Sequence, residues 1–190
     1  SEAYGQRPAP CTYLCPRACG SFYQRVPGVL HPERTYSGQM FCCSPRLVGG
    51  EWLGVQFAPE VGFELAQIAT DLGITHWERT FGLGPWLLAC QARGELRTLD
   101  GAALNLREPA FWAEMMTRIA QRRGWGDLLA EGAPRVAEVL GVGQDLIGDY
   151  YPAYGQASHW DGHGSFPSPY FPYWLVPSLQ WALDSRDPIG

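Results

Sequence analysis

Three cysteines near the start of the sequence have the residue type and the spacing to bind a metal. Cys11, Cys15 and Cys19 are separated by three residues each, and Pro16 follows the second of them. Close spacing lets several thiolates reach one inorganic core without a long loop to close, and soft thiolates suit zinc or an iron–sulfur cluster. We therefore take these three cysteines as candidate metal ligands.

Two other arrangements would also use these cysteines. The sequence has six cysteines in all, and an even number in Gly- and Pro-rich surroundings is typical of a disulfide framework. A structural zinc site would need a fourth ligand, which His31, Cys42 or Cys43 could supply. On the residues alone a cluster is favoured, and zinc and disulfides stay open as alternatives. Cys90 lies in an apolar run, where a lone cysteine is usually a small buried residue.

The acidic and histidine side chains give weaker signals. Glu60 and Glu64 are four residues apart and share one face of a predicted helix, and we favour two solvated carboxylates over an interacting pair. We expect His76 to be an ordinary half-buried histidine. His159 and His163 have a spacing that suits a metal on a helix, but the glycines around them predict a loop. We assign no catalytic acid or base.

Helices would have to position these residues, and the sequence predicts a mainly α fold, a multi-helix domain with long ordered loops. A hydrophobic fraction of 46% and an aromatic fraction of 13% are typical of a folded chain. Five segments are predicted to be helical. They lie at about 59–72, 85–93, 109–122, 127–140 and 174–183. No segment has a convincing alternation of the kind that predicts a strand.

Proline and glycine mark where these helices are expected to begin and end. Pro59 suits a first turn, and glycines suit the ends of the first four helices. These glycines are Gly73, Gly94, Gly124 and Gly141. Asp127 is a suitable N-cap for the fourth helix, and Pro134 predicts a bend there or a later start.

The composition divides the chain into three regions. Residues 1–57, rich in Gly, Pro, Cys and Tyr, are expected to form a cysteine-rich, loop-rich segment that a metal holds together. Residues 58–147 are expected to form a helical domain, and residues 148–190 a loop and the start of a further helical domain. We interpret both ends as cuts in a longer protein, because the chain lacks an initiating Met and stops just after an apolar stretch.

Charge and hydropathy argue against two classes of partner. The net charge is −5, all fourteen basic residues are Arg, and no basic run occurs, so the electrostatic signature of nucleic-acid binding is missing. No apolar run reaches the ~20 residues that a membrane span needs. The first residues also lack the pattern of a signal peptide, and we expect a cytoplasmic protein.

One long motif resembles a known family. Residues 119–132 read Ile-Ala-Gln-Arg-Arg-Gly-Trp-Gly-Asp-Leu-Leu-Ala-Glu-Gly. They are similar to a stretch of the aldehyde ferredoxin oxidoreductase family with the pattern Ile-Ala-x-Arg-x-Gly-x-Gly-Asp-x-Leu-Ala-Glu-Gly. The motif contains a helix, a Gly-x-Gly turn and a second helix, so its role is structural rather than catalytic.

Two further features occur in the order that this family has. The cysteines come first, and a helix then leads into a segment at the position of the family's pterin-binding loop, Asp-x-x-Gly-Leu-Asp. Gly73 matches this loop and Ile74 replaces its Leu, whereas Thr70 and Thr75 stand at the two Asp positions. Asp71 lies one residue out of register with the first of them. The resemblance thus implies Asp71, Gly73, Ile74 and Thr75 as pterin-contacting residues.

The resemblance also implies cofactors and chemistry. Cys11, Cys15 and Cys19 would hold a 4Fe-4S cluster whose fourth ligand lies elsewhere, and the pterin would be one of two that carry tungsten or molybdenum. Such an enzyme oxidises aldehydes to carboxylic acids and passes electrons to ferredoxin or another electron-transfer subunit. A homodimer is compatible with this resemblance, and the fragment alone is expected to be inactive.

Two alternative functions stay open. One is the tungsten subunit of a dearomatising aromatic acyl-CoA reductase of the benzoyl-CoA type, to which residues 72–78 and 183–188 are similar. The other is not an enzyme but a non-catalytic binding module whose fold is held together by zinc or by disulfides. The family fold is a pterin-holding β domain followed by two helical domains, and this chain resembles most of the first helical domain and the start of the second.

Overall fold

A computed structural model of the chain describes residues 5–9, 20–40, 57–74 and 82–147. The chain divides into two compact units, each built from two stretches of sequence. The first unit contains residues 1–76 and 98–130, and the second contains residues 77–97 and 131–190.

Five α-helices lie within the described residues. They are α1 (Pro59–Asp71), α2 (Leu83–Ala92), α3 (Pro109–Ala120), α4 (Trp125–Leu129) and α5 (Ala133–Leu140). A short 3-10 helix (Gln144–Leu146) follows α5. Helices hold more of these residues than strands do, so the prediction of a mainly α fold is confirmed. None of the described helices is long and apolar enough to cross a membrane.

The first unit begins with a three-stranded antiparallel sheet. Its strands, in spatial order, are β1 (Gln6–Ala9), β2 (Gly20–Pro27) and β3 (Thr35–Met40). Ala9 pairs with Gly20, and Ser21 pairs with Met40. The end of β1, the start of β2 and the end of β3 therefore lie at the same end of the sheet. A separate two-stranded hairpin consists of β4 (Thr98–Leu99) and β5 (Ala102–Ala103).

These strands correct the expectation that the sequence contains none. Among the larger apolar side chains of the three-stranded sheet, only Val26, Tyr36 and Met40 are buried. Strand β1 is exposed or half-buried along its length. A sheet with so small a buried face leaves no apolar alternation in the sequence. Its pairing depends on backbone hydrogen bonds, which a side-chain pattern does not reveal.

Helices α1, α3 and α4 build the core of the first unit. Helix α1 packs on β3 and on α3, and α3 packs on α4. The indole nitrogen of Trp112 donates to the carbonyl oxygen of Leu106 at 2.8 Å, which satisfies the polar atom of a large buried ring. The buried side chains of these helices include Phe63, Leu65, Ile68, Trp112, Met115, Met116 and Leu129.

The predicted helix ends are largely confirmed. Proline occupies the first turn of α1, α3 and α5. Gly73 and Gly141 have φ values of 70° and 67° just beyond α1 and α5, the left-handed conformation that commonly ends a helix. Gly94, with a φ of 74°, follows α2 in the same way.

The fourth predicted helix is in fact two helices. Gly132, with a φ of 81°, separates α4 from α5, and Pro134 lies in the first turn of α5. The later start that Pro134 predicts is therefore confirmed. The prediction of Asp127 as an N-cap is wrong, because this residue lies inside α4. Its carboxylate instead accepts a hydrogen bond from Nη1 of Arg122 at 3.0 Å.

In the second unit, the residues after α5 fold back on α2. The buried Trp86 donates Nε1–H to the carbonyl of Gly143 at 2.9 Å, and the N–H of Gly143 donates to Oε2 of Glu95 at 3.1 Å. The guanidinium of Arg93 forms ion pairs with Oε1 of Glu95 at 2.7 Å and with Oδ2 of Asp145 at 2.8 Å. Its hydrogen bond to Asp145 lowers the pKa of that carboxyl group. These bonds tie the segment after α5 to the end of α2.

We expect Gly143→Ala to destabilise the protein more than Gly141→Ala. Both glycines have a positive φ, 59° and 67°, so alanine at either position is strained by roughly 1–2 kcal/mol. A Cβ at Gly143 would also overlap the sulfur of Cys90 and lie 2.7 Å from Nε1 of Trp86. A Cβ at Gly141 would meet no atom of residues 5–9, 20–40, 57–74 or 82–147 within 4 Å.

Overpacking at Gly143 should add about 1–3 kcal/mol to the loss. Urea unfolding followed by tryptophan fluorescence compares the two variants. Equal losses in the free energy of unfolding would contradict the close contact between Gly143 and α2.

Candidate functional site

Helix α1 ends in a tight turn that carries the residues predicted to contact a pterin. Asp71 is the last residue of the helix, and Gly73 follows with a φ of 70°. The N–H of Gly73 donates to the carbonyl of Thr70 at 3.1 Å, and the N–H of Ile74 donates to the carbonyl of Ala69 at 2.8 Å. This pair of bonds is a Schellman ending, and it fixes the direction in which the chain leaves the helix.

The turn is accessible within the described part of the chain. Asp71 and Gly73 are exposed and Ile74 is half-buried, and a Cβ built at Gly73 would meet no atom of the described residues within 4 Å. Thr70 donates its hydroxyl to the carbonyl four residues earlier in the helix at 2.9 Å. An exposed carboxylate is the kind of acceptor that the N–H groups of a pterin ring need. Thr75 lies outside the described residues.

The carboxylate of Glu64 lies inside the first unit. The residue is 1% exposed. Its Oε2 accepts the N–H groups of Val29 and Leu30 at 2.6 and 2.7 Å, and its Oε1 accepts the N–H of His31 at 2.9 Å. The interpretation of Glu60 and Glu64 as two solvated carboxylates is therefore wrong for Glu64, because three backbone N–H groups replace the water around it.

The connection between β2 and β3 is folded around this carboxylate, and we call residues 28–34 the carboxylate-binding turn. Gly28 donates its N–H to the carbonyl of Arg34, and Arg34 donates its N–H to the carbonyl of His31, both at 2.9 Å. A Cβ at Gly28 would overlap the carbonyl of His31 and lie 3.0 Å from Oε1 of Glu64. Glycine therefore allows the approach of three successive N–H groups to one anion, an arrangement known as a nest.

A second contact joins α1 to the sheet. Gln67, one turn after Glu64, packs against Gly38 of β3, where a Cβ would overlap its side-chain amide. The carboxylate-binding turn lies at the start of β3, and Gly38 lies farther along the strand. Phe63, the residue before Glu64, contacts Tyr23, which pairs with Gly38 across the sheet. Helix α1 is therefore held both by the carboxylate-binding turn and by the middle of the sheet.

Tyr36 of β3 places a hydroxyl near the same carboxylate. The residue is 7% exposed, and its oxygen has no hydrogen-bond partner within the described part of the chain. Burial raises the pKa of Tyr36 above 10.0, the negative charge of Glu64 and the closeness of its carboxylate to the hydroxyl raise it further, and Arg34 on the other hand lowers it. The hydroxyl therefore stays protonated at neutral pH, and among the described residues no well-aligned hydrogen bond offsets the cost of its burial.

A comparison with known families identifies the kind of protein that contains these elements. A family model described as "Aldehyde ferredoxin oxidoreductase, domains 2 & 3" matches residues 1–150. The chain belongs to the aldehyde ferredoxin oxidoreductase family. The match spans both the cysteine segment 10–19 and the turn after α1, and it confirms the resemblance drawn from the sequence. No curated protein and no solved structure matches the chain.

Most cysteines of this aldehyde ferredoxin oxidoreductase family member lie outside the described residues. These are Cys11, Cys15, Cys19, Cys42 and Cys43. The same is true of His76, His159 and His163. In His31, a candidate zinc ligand, Nδ1 lies 3.6 Å from Oε1 of Glu33. Over residues 5–9, 20–40, 57–74 and 82–147, no three His, Cys, Asp or Glu side chains are grouped to hold a metal ion.

Cys90 is the cysteine that lies within the described residues. It is buried in α2, and burial raises the pKa of its thiol to about 11, with a further contribution from Glu95 and an opposing one from Arg93. Its sulfur is therefore a neutral thiol at physiological pH rather than a metal-binding thiolate. The expectation of a small buried residue at this position is confirmed.

We expect Tyr36→Phe to raise the free energy of unfolding at pH 7 by about 1 kcal/mol, because it removes a buried hydroxyl that has no well-aligned hydrogen bond within the described residues. The matched control is Tyr23→Phe. Tyr23 is half-buried, and its ring contacts Phe63 edge-on at 5.7 Å between centroids. This control should leave the stability nearly unchanged. A clear destabilisation by Tyr36→Phe in urea unfolding would show that the hydroxyl has a partner.

The raised pKa of Tyr36 also predicts a loss of stability in alkali. Below pH 10.0 the hydroxyl is protonated in the folded and unfolded states, and its contribution is constant. Above that pH the unfolded state releases the proton first, so the free energy of unfolding falls until the folded pKa is reached. Tyr36→Phe should remove this part of the alkaline loss. An identical pH profile for wild type and variant would argue against the raised pKa.

Proposed function

We propose that this chain supplies the cysteine segment and one pterin-contacting turn of a tungsten- or molybdenum-pterin, iron–sulfur oxidoreductase that oxidises aldehydes to carboxylic acids. The observation that carries the proposal is the turn after α1, whose two Schellman hydrogen bonds place an exposed Asp71 and Gly73 where the family has its pterin-binding loop. The pairing of Ala9 with Gly20 brings the two ends of segment 10–19 together in the same unit.

The pairing of Ala9 with Gly20 supports a cluster held by Cys11, Cys15 and Cys19. Because these paired residues flank segment 10–19, the connection that contains the three cysteines begins and ends at neighbouring positions. A Cβ at Gly20 would lie 2.5 Å from the carbonyl of Ala9, so the two strands approach closely just after the last cysteine. Three thiolates in so short a connection suit a 4Fe-4S cluster, and its fourth ligand would come from elsewhere.

The turn after α1 would hold one of the two pterins. Asp71 would accept hydrogen bonds from ring N–H groups, and Gly73 leaves room for the ring to approach the backbone. Ile74 and Thr75 would complete the contact. When bound, the metal-pterin group would supply the chemistry by which an aldehyde and water become a carboxylic acid, two protons and two electrons. Ferredoxin or another electron-transfer subunit in the cytoplasm would accept the electrons one at a time.

Replacing Cys15 by alanine should abolish the cluster. In the full-length protein, purified anaerobically, we expect Cys15→Ala to lose the visible absorption of a 4Fe-4S cluster together with iron and acid-labile sulfide. The matched control is Cys90→Ala, which should keep the absorption, because Cys90 is buried as a neutral thiol. Zinc as the sole metal, or cysteines paired in disulfides, would overturn the cluster assignment.

Replacing Asp71 by alanine should affect binding of the pterin but not of the cluster. We expect Asp71→Ala to lower the tungsten or molybdenum content of the full-length protein and to leave its iron content unchanged. Asp127→Ala serves as the control, since Asp127 is an exposed carboxylate of the same unit paired with Arg122. A full complement of tungsten or molybdenum in Asp71→Ala would remove this residue from the pterin site.

A further inference from the structure

We draw no further inference here: the strongest candidate, the buried thiol of Cys90 in α2, over which Gly143 closes in the second unit, is a lone cysteine beside which no described residue points to a ligand or a modifying group.

Discussion

The first unit depends on one buried negative charge. The carboxylate of Glu64 is removed from water, which is costly for any ion without partners, and three backbone N–H groups take the place of the solvent. These donors belong to a single short connection between two strands. One side chain therefore holds the conformation of that connection and joins it to α1.

The described helices could be predicted from the sequence because local residues set their ends. Pro59 and Pro109 lie in first turns, and Gly73 and Gly141 have the positive φ values that end a helix. The sheet could not be predicted in this way. Its strands pair across segments of the chain that are distant in sequence, and β1 contributes no buried side chain to mark its inner face.

The candidate site was predictable only in part. Gly73 and Ile74 follow a family pattern, and the turn they form after α1 is present. The role of Glu64 was missed, although a signal existed. Residues 61–69 of α1 are buried on every side, and a carboxylate within so apolar a stretch requires a partner. That partner is backbone, which has no side-chain signature, so the sequence does not identify it.

The register of β1 and β2 has a thermodynamic consequence for whatever binds between them. Once Ala9 and Gly20 are paired, the ends of segment 10–19 are already together, and a ligand that bridges this segment no longer bears the entropy of closing it. Preorganisation of this kind couples binding to folding, and the coupling is reciprocal. A bound ligand must strengthen the strand pairing by the same free energy with which the pairing strengthens binding.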